Sequence, residues 1–315
     1  MKITRALLQT AAASMLLAAP AAAWDAGGHM LTGQIAWERL RPEVRAKVSA
    51  LTAKLPNEYN AQQRYNLVTA PTWMDDMRSM PKYPWSKLHY VNLEYTAAGT
   101  PVVIPEGPHI LSAIDESIAA LKSASTPEDQ RVEALGMLVH FVGDVHQPLH
   151  CTEWGGDRGG NGYLIMGVSF SDLMPKMTAN LHTFWDKAYR FDTKAGKAAE
   201  LWACPDIKGR PKAPGEGVIA EQAKELMLRF PEASLYQLAD KGGPVAWARE
   251  SHLLGCLAAY PQRPYPAADE PVALTPEFIS KAHEIAGQRV TLAGYRLGNL
   301  LNEIFSSAAQ PPGTR

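Results

Sequence analysis

Two histidine–aspartate pairs in the chain have the residue types and the spacing of metal ligands. His140 and Asp144 lie four residues apart in an apolar segment, and His182 and Asp186 repeat that spacing. Residues four apart project from the same face of a helix, one turn from each other. Imidazole nitrogens and carboxylate oxygens are ligands that suit zinc. One such pair is weak evidence, but two copies of the same geometry favour a metal centre over two separate core histidines.

The elements that must hold these side chains can be predicted from capping residues and apolar periodicity. Thr126 and Pro127 are typical of a helix start, so a long helix should follow them and carry the first pair. Pro148 ends that helix and places His150 just beyond its C-terminal end. Apolar residues recur every three or four positions from 279 to 304, which predicts a last helix packed along the whole domain.

Other apolar patterns complete the predicted fold. Helical spacing predicts two short helices between residues 30 and 55, and another helix from His109 to about Lys122. Residues 163–170 are predicted to form a short β-hairpin, which is the one strand pair that we expect. The sequence therefore predicts an all-α fold, with a single compact multi-helix domain and at most one short β-hairpin.

The first 23 residues have the features of a secretory signal. They combine two basic residues, an apolar stretch and a final run of three alanines. The apolar stretch is too short to span a bilayer, so an export signal is favoured over a membrane anchor. The mature protein would then begin at Trp24, would be periplasmic or secreted, and would have no integral membrane span. We assign residues 24–307 to the domain and residues 308–315 to a disordered tail.

Charge and cysteine content narrow the function. Residues 1–23 contain two basic and no acidic residues, so the mature chain has 29 basic and 32 acidic residues and a net charge of about −3. That balance is not typical of a general duplex-binding protein. Three cysteines allow at most one intramolecular bridge, and in an exported protein we predict Cys204–Cys256, with Cys151 left free.

Two motifs carry a family resemblance. The segment His140-Phe-Val-Gly-Asp-Val-His-Gln-Pro-Leu-His150 and the segment Asn180-Leu-His-Thr-Phe-Trp-Asp186 resemble motifs of the zinc-dependent, single-strand-specific nucleases of fungi, plants and bacteria (nuclease I type). Those enzymes share a superfamily with the bacterial zinc-dependent phospholipases C. The resemblance implies three Zn²⁺ per chain, held by nine residues in the same order along the chain.

The resemblance assigns these nine ligands to three zinc ions. Trp24 stands where the family uses the α-amine and carbonyl oxygen of an N-terminal tryptophan, in an opening motif Trp-Asp-Ala-Gly-Gly-His. The first ion is assigned Asp75, His89, His140 and one oxygen of Asp144. The second ion is assigned Trp24, His29 and the other oxygen of Asp144. The third ion is assigned His150, His182 and Asp186.

The same resemblance assigns catalytic and substrate-binding roles. Arg78 follows the metal ligand Asp75 and is expected to contact the scissile phosphate, with a surface salt bridge as the alternative. Asn161, in a glycine-rich loop, is expected to help hold the phosphate, and Tyr90 is expected to stack on a nucleobase. Asn92 stands where the fungal enzymes have a base-binding aspartate. Because an amide both donates and accepts hydrogen bonds, the base preference stays open.

The implied activity is that of an exported, monomeric nuclease acting on single-stranded DNA and RNA. A hydroxide bridging two of the three zinc ions would attack phosphorus and leave 5′-phosphorylated nucleotides. A zinc-dependent phospholipase C or a dual-activity phosphodiesterase acting on phospholipid is the alternative enzyme. Asp186 favours the nuclease, because the phospholipases have a glutamate at that position. A non-enzymatic zinc protein is the third hypothesis, and the glycine-rich loop beside His150 argues against it.

Overall fold

A computed structural model describes residues 24–56, 64–79, 84–97, 100, 102–166, 168, 179–190, 210–239, 242–261, 265 and 270–306. The predicted signal, the predicted tail and Cys204 lie outside these residues. Within them the chain is mainly helical, which confirms the predicted all-α class. The α-helices are α1 (Ala26–Arg39), α2 (Pro42–Thr52), α3 (Trp73–Asp76), α4 (Ile110–Lys122), α5 (Glu128–Asp144), α6 (Leu181–Trp185), α7 (Gly217–Arg229), α8 (Glu232–Ala239), α9 (Gly243–Leu254) and α10 (Pro276–Ser306).

Helix α5 lies at the centre of the fold. It packs against α1, α2, α3, α4 and α10, and every residue from Leu138 to Asp144 is buried. A helix that is enclosed on all sides needs apolar residues all round, which explains the apolar run before the ligands. The short 3₁₀ turn Pro148–His150 follows its end. His150 thus lies just past the helix, as predicted, but α5 already ends at Asp144, four residues before Pro148.

Helix α10 fixes the position of α1, the helix that follows Trp24. The two helices pack against each other, and glycines let their backbones approach closely. A Cβ atom on Gly294 would lie 2.5 Å from the Cβ of Ile35, and one on Gly298 would lie 2.8 Å from the Cβ of Arg39. The observed α10 confirms the predicted long last helix. Its close packing holds the N-terminal helix α1 against the bundle.

The buried apolar side chains form two clusters. One contains side chains of α2, α3, α4 and α5, among them Phe141 and Val142. The other contains Trp24, Leu149 and Trp185. The chain passes from the first cluster to the second between the end of α5 and Leu149. No helix in the described ranges combines the length and the apolarity that crossing a bilayer requires.

A small sheet has three strands, β1 (Leu164–Met166), β2 (Ala179–Asn180) and β3 (Val272–Ala273). Strand β1 is central, antiparallel to β2 and parallel to β3. The strand expected within residues 163–170 is thus present, but both of its neighbours come from elsewhere in the chain. The Asn180 side chain accepts from the backbone N–H of Thr183 at 2.8 Å, so the β1–β2 pairing also fixes the start of α6, which carries His182.

Candidate metal centre

The first group of ligand atoms lies at the C-terminal end of α5. His89 Nδ1, His140 Nε2 and Asp144 Oδ2 form a triangle with sides of 3.0, 3.0 and 3.1 Å. A zinc ion bonded to nitrogen and oxygen at about 2.0–2.1 Å would hold tetrahedral ligand atoms roughly 3.3 Å apart, so this triangle fits one ion. Asp75 Oδ1 lies 4.0 Å from His140 Nε2. The structure therefore brings three of the four residues assigned to the first ion into one triangle, and it places Asp75 nearer to His140 and His29 than to the other two.

The second group is built on the other oxygen of Asp144. The His29 ring stacks on the His140 ring with centroids 4.1 Å apart, and His29 Nε2 lies 3.3 Å from Asp144 Oδ1. Both ring nitrogens of His29 and Asp144 Oδ1 are buried and make no hydrogen bond. Asp144 thus directs one oxygen to each group, which is the arrangement of a carboxylate that bridges two cations.

The third group comes from two separate elements. His150, in the turn after α5, and His182 and Asp186, at α6, have ligand atoms within 4.8 Å of one another. His182 Nε2 lies 3.6 Å from Asp186 Oδ1, and the His150 and His182 ring centroids are 4.9 Å apart. His150 Nε2 is buried and makes no hydrogen bond.

Backbone carbonyls fix the tautomers of the ligand histidines. A carbonyl oxygen accepts only, so an imidazole nitrogen in contact with one carries the proton, and the other nitrogen keeps its lone pair. Hydrogen bonds of this kind orient the histidines of metal sites. At 2.6 to 2.7 Å, Nδ1 donates from His140 to Pro71, from His150 to His89 and from His182 to Gly159. Each Nε2 is therefore the ligand atom.

The donor set fits a cation. Buried polar atoms without hydrogen bonds are rare, because leaving one unpaired costs about 1–3 kcal/mol. Here such atoms of His29, Asp144 and His150 lie within the same cluster. Metal ions coordinated by these nitrogen and oxygen atoms would satisfy all of them.

Burial favours the neutral, metal-binding form of three of the ligand histidines. Burial lowers the pKa of His29 and of His150, and it lowers the pKa of His89 to about 4. These imidazoles are consequently neutral at pH 7, which is the form that binds metal. Burial alone would raise the pKa of Asp144, but the adjacent histidines, His140 foremost, hold it well below its usual range. Burial raises the pKa of Asp186 well above its usual range, and a nearby cation would favour its ionised form.

Trp24, the one predicted ligand without a metal-binding side chain, also lies at the cluster. Its indole is buried, and its Nε1 donates to the backbone carbonyl of Gly143 at 2.9 Å. A Cβ atom on Gly143 would lie 3.0 Å from His29 Nδ1 and 3.7 Å from Trp24 Cδ1. The next backbone N–H, that of Asp25, donates to the Asp186 carbonyl at 3.1 Å. Trp24 therefore lies near ligands of all three groups.

Asp75 and Arg78 form the solvent edge of the cluster. Arg78 Nε lies 2.9 Å from Asp75 Oδ1 in an ion pair, and the two side chains are 16% and 19% exposed. The salt bridge expected as an alternative is thus present, beside the first group. Asp76 points elsewhere: its carboxylate is bound by Arg210 at 2.6 and 2.8 Å and by the hydroxyl of Tyr65 at 2.9 Å. These contacts explain why Asp75, and not Asp76, reaches the cluster.

The predicted base-binding residues lie on an extended segment beside the third group. The Val91 N–H donates to the His150 carbonyl at 2.9 Å, so Tyr90 and Asn92 flank a direct contact with this group. The Tyr90 side chain is 38% exposed, and Asn92 is half-buried. Tyr90 therefore presents part of its ring to solvent next to the ligand His89.

The glycine-rich loop packs against the third group. Gly159 and Gly160 have positive φ angles of 65° and 78°, and a Cβ on Gly159 would lie 2.3 Å from the Leu149 carbonyl oxygen. The glycines thus let the loop backbone approach another part of the protein's own chain closely. Asn161 follows directly, half-buried, and its Nδ2 donates to the Arg158 carbonyl at 2.8 Å.

Gln147 is a supporting residue that sequence analysis missed. Its Nε2 donates to Asp186 Oδ1 at 2.9 Å, and its Oε1 accepts from the backbone N–H of Leu149. One amide thus ties the carboxylate of the third group to the turn that carries His150. Its position between Asp144 and His150 was the available signal, but the contact with Asp186 spans 39 residues and could not be foreseen from the sequence.

Known proteins with similar sequences agree with these motifs. A family model described as S1/P1 Nuclease matches residues 24–306. The chain is 27% identical to Endonuclease 4 of Arabidopsis thaliana over 307 residues, which cover 92% of each chain. It is 25% identical to Nuclease PA3 of Penicillium sp and 24% identical to Nuclease P1 of Penicillium citrinum. Each of these two matches covers 90% of this chain and 98% of the relative.

Replacing Gln147 should weaken metal binding selectively at the third group. Gln147→Leu removes the donor to Asp186 and should raise the zinc dissociation constant of that group by roughly 10- to 100-fold, as loss of a hydrogen bond to a ligand does elsewhere. Competition with a chromophoric chelator measures the constant. Gln34→Leu is the matched control, because Gln34 is also fully buried but bonds to Glu38 and Gly215. Equal zinc affinity in folded Gln147→Leu protein and wild type would contradict this role.

Proposed function

The chain belongs to the S1/P1 nuclease family, and we propose that it is an exported, zinc-dependent nuclease specific for single strands. Membership makes it an endonuclease, a hydrolase whose substrate is nucleic acid. The proposal adds three Zn²⁺ per chain, single-stranded DNA and RNA as substrates, 5′-phosphorylated nucleotides as products, and a monomer as the active form. The observation that carries it is the convergence of eight buried or partly buried His and Asp residues into three groups, with Asp144 within 3.3 Å of both His29 and His140.

The proposed chemistry needs both a strong nucleophile and charge stabilisation at phosphorus. Bound Zn²⁺ ions supply these by lowering the pKa of water and by neutralising negative charge on phosphate oxygens. The protein holds the ligand atoms in place, and Asp144 contributes one carboxylate oxygen to each of two groups. Arg78 lies at the solvent edge of the cluster. Its guanidinium has five donors, so it can keep its contact with Asp75 and also bind a phosphate oxygen.

Asn161 and Tyr90 are proposed to position the substrate. One Nδ2–H of Asn161 is held by the Arg158 carbonyl, which orients the amide, and its second N–H can then donate to the phosphate. The partly exposed ring of Tyr90 offers a face on which a base can stack. A base in a duplex would first have to leave its stack, so a preference for single strands follows. Asn92 can donate to or accept from a base.

The open edge of the cluster supports an enzyme over a purely structural metal protein. Structural zinc sites are closed by protein ligands, whereas catalytic sites keep a position for substrate. Asp75, Arg78 and Tyr90 are all partly exposed beside the cluster. A phosphate could therefore reach the ligands of the first group from solvent.

The second ion of the proposed centre depends on maturation of the chain. We propose that a signal ending at Ala23 is removed on export, so that Trp24 supplies its α-amine and carbonyl oxygen as ligands. Support comes from the position of Trp24 beside Gly143 and His29. The family match also begins at this residue.

Chelation should abolish release of 5′-mononucleotides from single-stranded DNA. Protein with a verified Trp24 N-terminus is expected to degrade an unstructured oligonucleotide at least tenfold faster than the same sequence in a duplex, because a flipped base costs a few kcal/mol in a duplex. Added zinc should restore activity after removal of the chelator. Zinc-loaded protein that leaves the oligonucleotide intact, or that hydrolyses phosphatidylcholine vesicles instead, would contradict the proposed substrate.

One extra residue before Trp24 should remove most of the activity. A methionine at that place would convert the α-amine into an amide, which cannot serve as the same ligand. The expected protein is folded, with an unchanged circular dichroism spectrum, and binds two zinc ions instead of three. A variant with the same methionine added after Arg315 is the matched control. Full activity with the extended N-terminus would contradict the proposed role of the Trp24 amine.

A further inference from the structure

Asp25, the residue before helix α1, accepts hydrogen bonds with both of its carboxylate oxygens. Its Oδ1 accepts from the Gly28 N–H at 3.2 Å, which caps the helix, and from the Tyr189 hydroxyl at 2.5 Å. Its Oδ2 accepts from Arg190 Nη1 at 2.5 Å. The Asp25 side chain is only 10% exposed. Both carboxylate oxygens are therefore engaged, one of them by an arginine in a charge-assisted bond.

The backbone of Asp25 joins two of the metal groups. Its N–H donates to the carbonyl of Asp186 at 3.1 Å, and its carbonyl accepts from the N–H of His29 at 3.2 Å. Trp24 and His29, both assigned to the second group, lie on either side of it in the chain. Asp25 thus links the segment that carries these two residues to the element that carries Asp186.

The partners of Asp25 belong to that same element. Tyr189 and Arg190 lie in a 3₁₀ turn, Ala188–Arg190, that follows Asp186 directly. The Tyr189 ring also meets the Trp24 ring edge to face, with centroids 6.2 Å apart. A Cβ atom on Gly27 would lie 2.3 Å from the Tyr189 hydroxyl oxygen. The first turn of α1 can approach Tyr189 only because it contains glycine.

The glycine-containing first turn of α1 needs contacts with other parts of the protein to hold it in one conformation. Glycine loses more conformational freedom on folding than any other residue, and Gly27 and Gly28 separate Asp25 from His29. Side chains that can hold the segment in place are the Trp24 indole, bound to Gly143, and the Asp25 carboxylate. Of these two, the carboxylate is the one that accepts hydrogen bonds from Tyr189 and Arg190.

We propose that Asp25 is a positioning residue, which holds Trp24 and His29 in the geometry that binds the second metal ion and couples them to the third group. This role rests on the zinc centre proposed above. Asp25 itself is not assigned as a ligand. Loss of its carboxylate should therefore weaken one ion of the three and leave the rest of the fold intact.

The test compares Asp25→Ala and Asp25→Asn with wild type in protein beginning at Trp24. Zinc per chain is measured after dialysis against buffered free zinc, and the thermal midpoint is measured for each protein with and without zinc. Asp25→Ala should retain the first and third ions, with the affinity for the second ion weakened about tenfold or more. Asp25→Asn should lie between it and wild type, because an amide oxygen can still accept from Gly28 but carries no charge for Arg190.

Glu232→Gln is the matched control. It neutralises another carboxylate that binds an arginine, since Arg39 donates to Glu232 at 2.7 and 2.8 Å. Glu232 lies in α8 and belongs to none of the three metal groups. This control should bind three zinc ions as tightly as wild type.

Two results would overturn the role of Asp25. In the first, Asp25→Ala binds three zinc ions as tightly as wild type. In the second, its thermal midpoint falls by the same amount with and without zinc at unchanged affinity, which is the signature of a helix cap alone. Wild-type protein that itself binds no zinc would refute the proposed function and this role together, so the two failures can be told apart.

Discussion

The whole centre depends on one buried carboxylate shared between two groups of ligands. Asp144 is fully buried at the last residue of α5, with Oδ2 about 3 Å from His89 and His140 and Oδ1 3.3 Å from His29. A charge in such a place is tolerated only when it is paired or coordinates a metal. The enclosure of α5, the glycines of α1 and α10, and the turn to His150 all serve to place ligands around this residue.

A second buried network holds the end of that helix. Arg289 donates to the His146 carbonyl at 3.1 Å, and Arg296 lies 2.9 Å from His146 Nε2. Glu250 binds both arginines. Burial and then the two arginines lower the pKa of His146 well below its usual range, so this histidine is a neutral acceptor. Cations next to the last carbonyls of a helix stabilise its C-terminus. The charges of the network thus fix the turn between Asp144 and His150.

Much of this arrangement could be predicted from the sequence. The local spacing of residues was enough to predict α5, the His140–Asp144 pair and α10, because helical periodicity is a property of neighbouring residues. Contacts between distant segments could not be predicted in that way. The bond from Gln147 to Asp186, the partners of strand β1 and the arginines around His146 arise only when the tertiary structure forms. The roles of Arg78, Asn161, Tyr90 and Asn92 still rest on resemblance and on their places beside the cluster.

Anomalous diffraction at the zinc absorption edge, from crystals of protein beginning at Trp24, would test the central claim most directly. The account predicts three peaks per chain. Two should flank Asp144, one near His89 and His140 and one near His29, and the third should lie between His150 and Asp186. A single peak at Asp144, or no peak beside His150, would contradict a centre in which one carboxylate bridges two ions and a separate group holds the third.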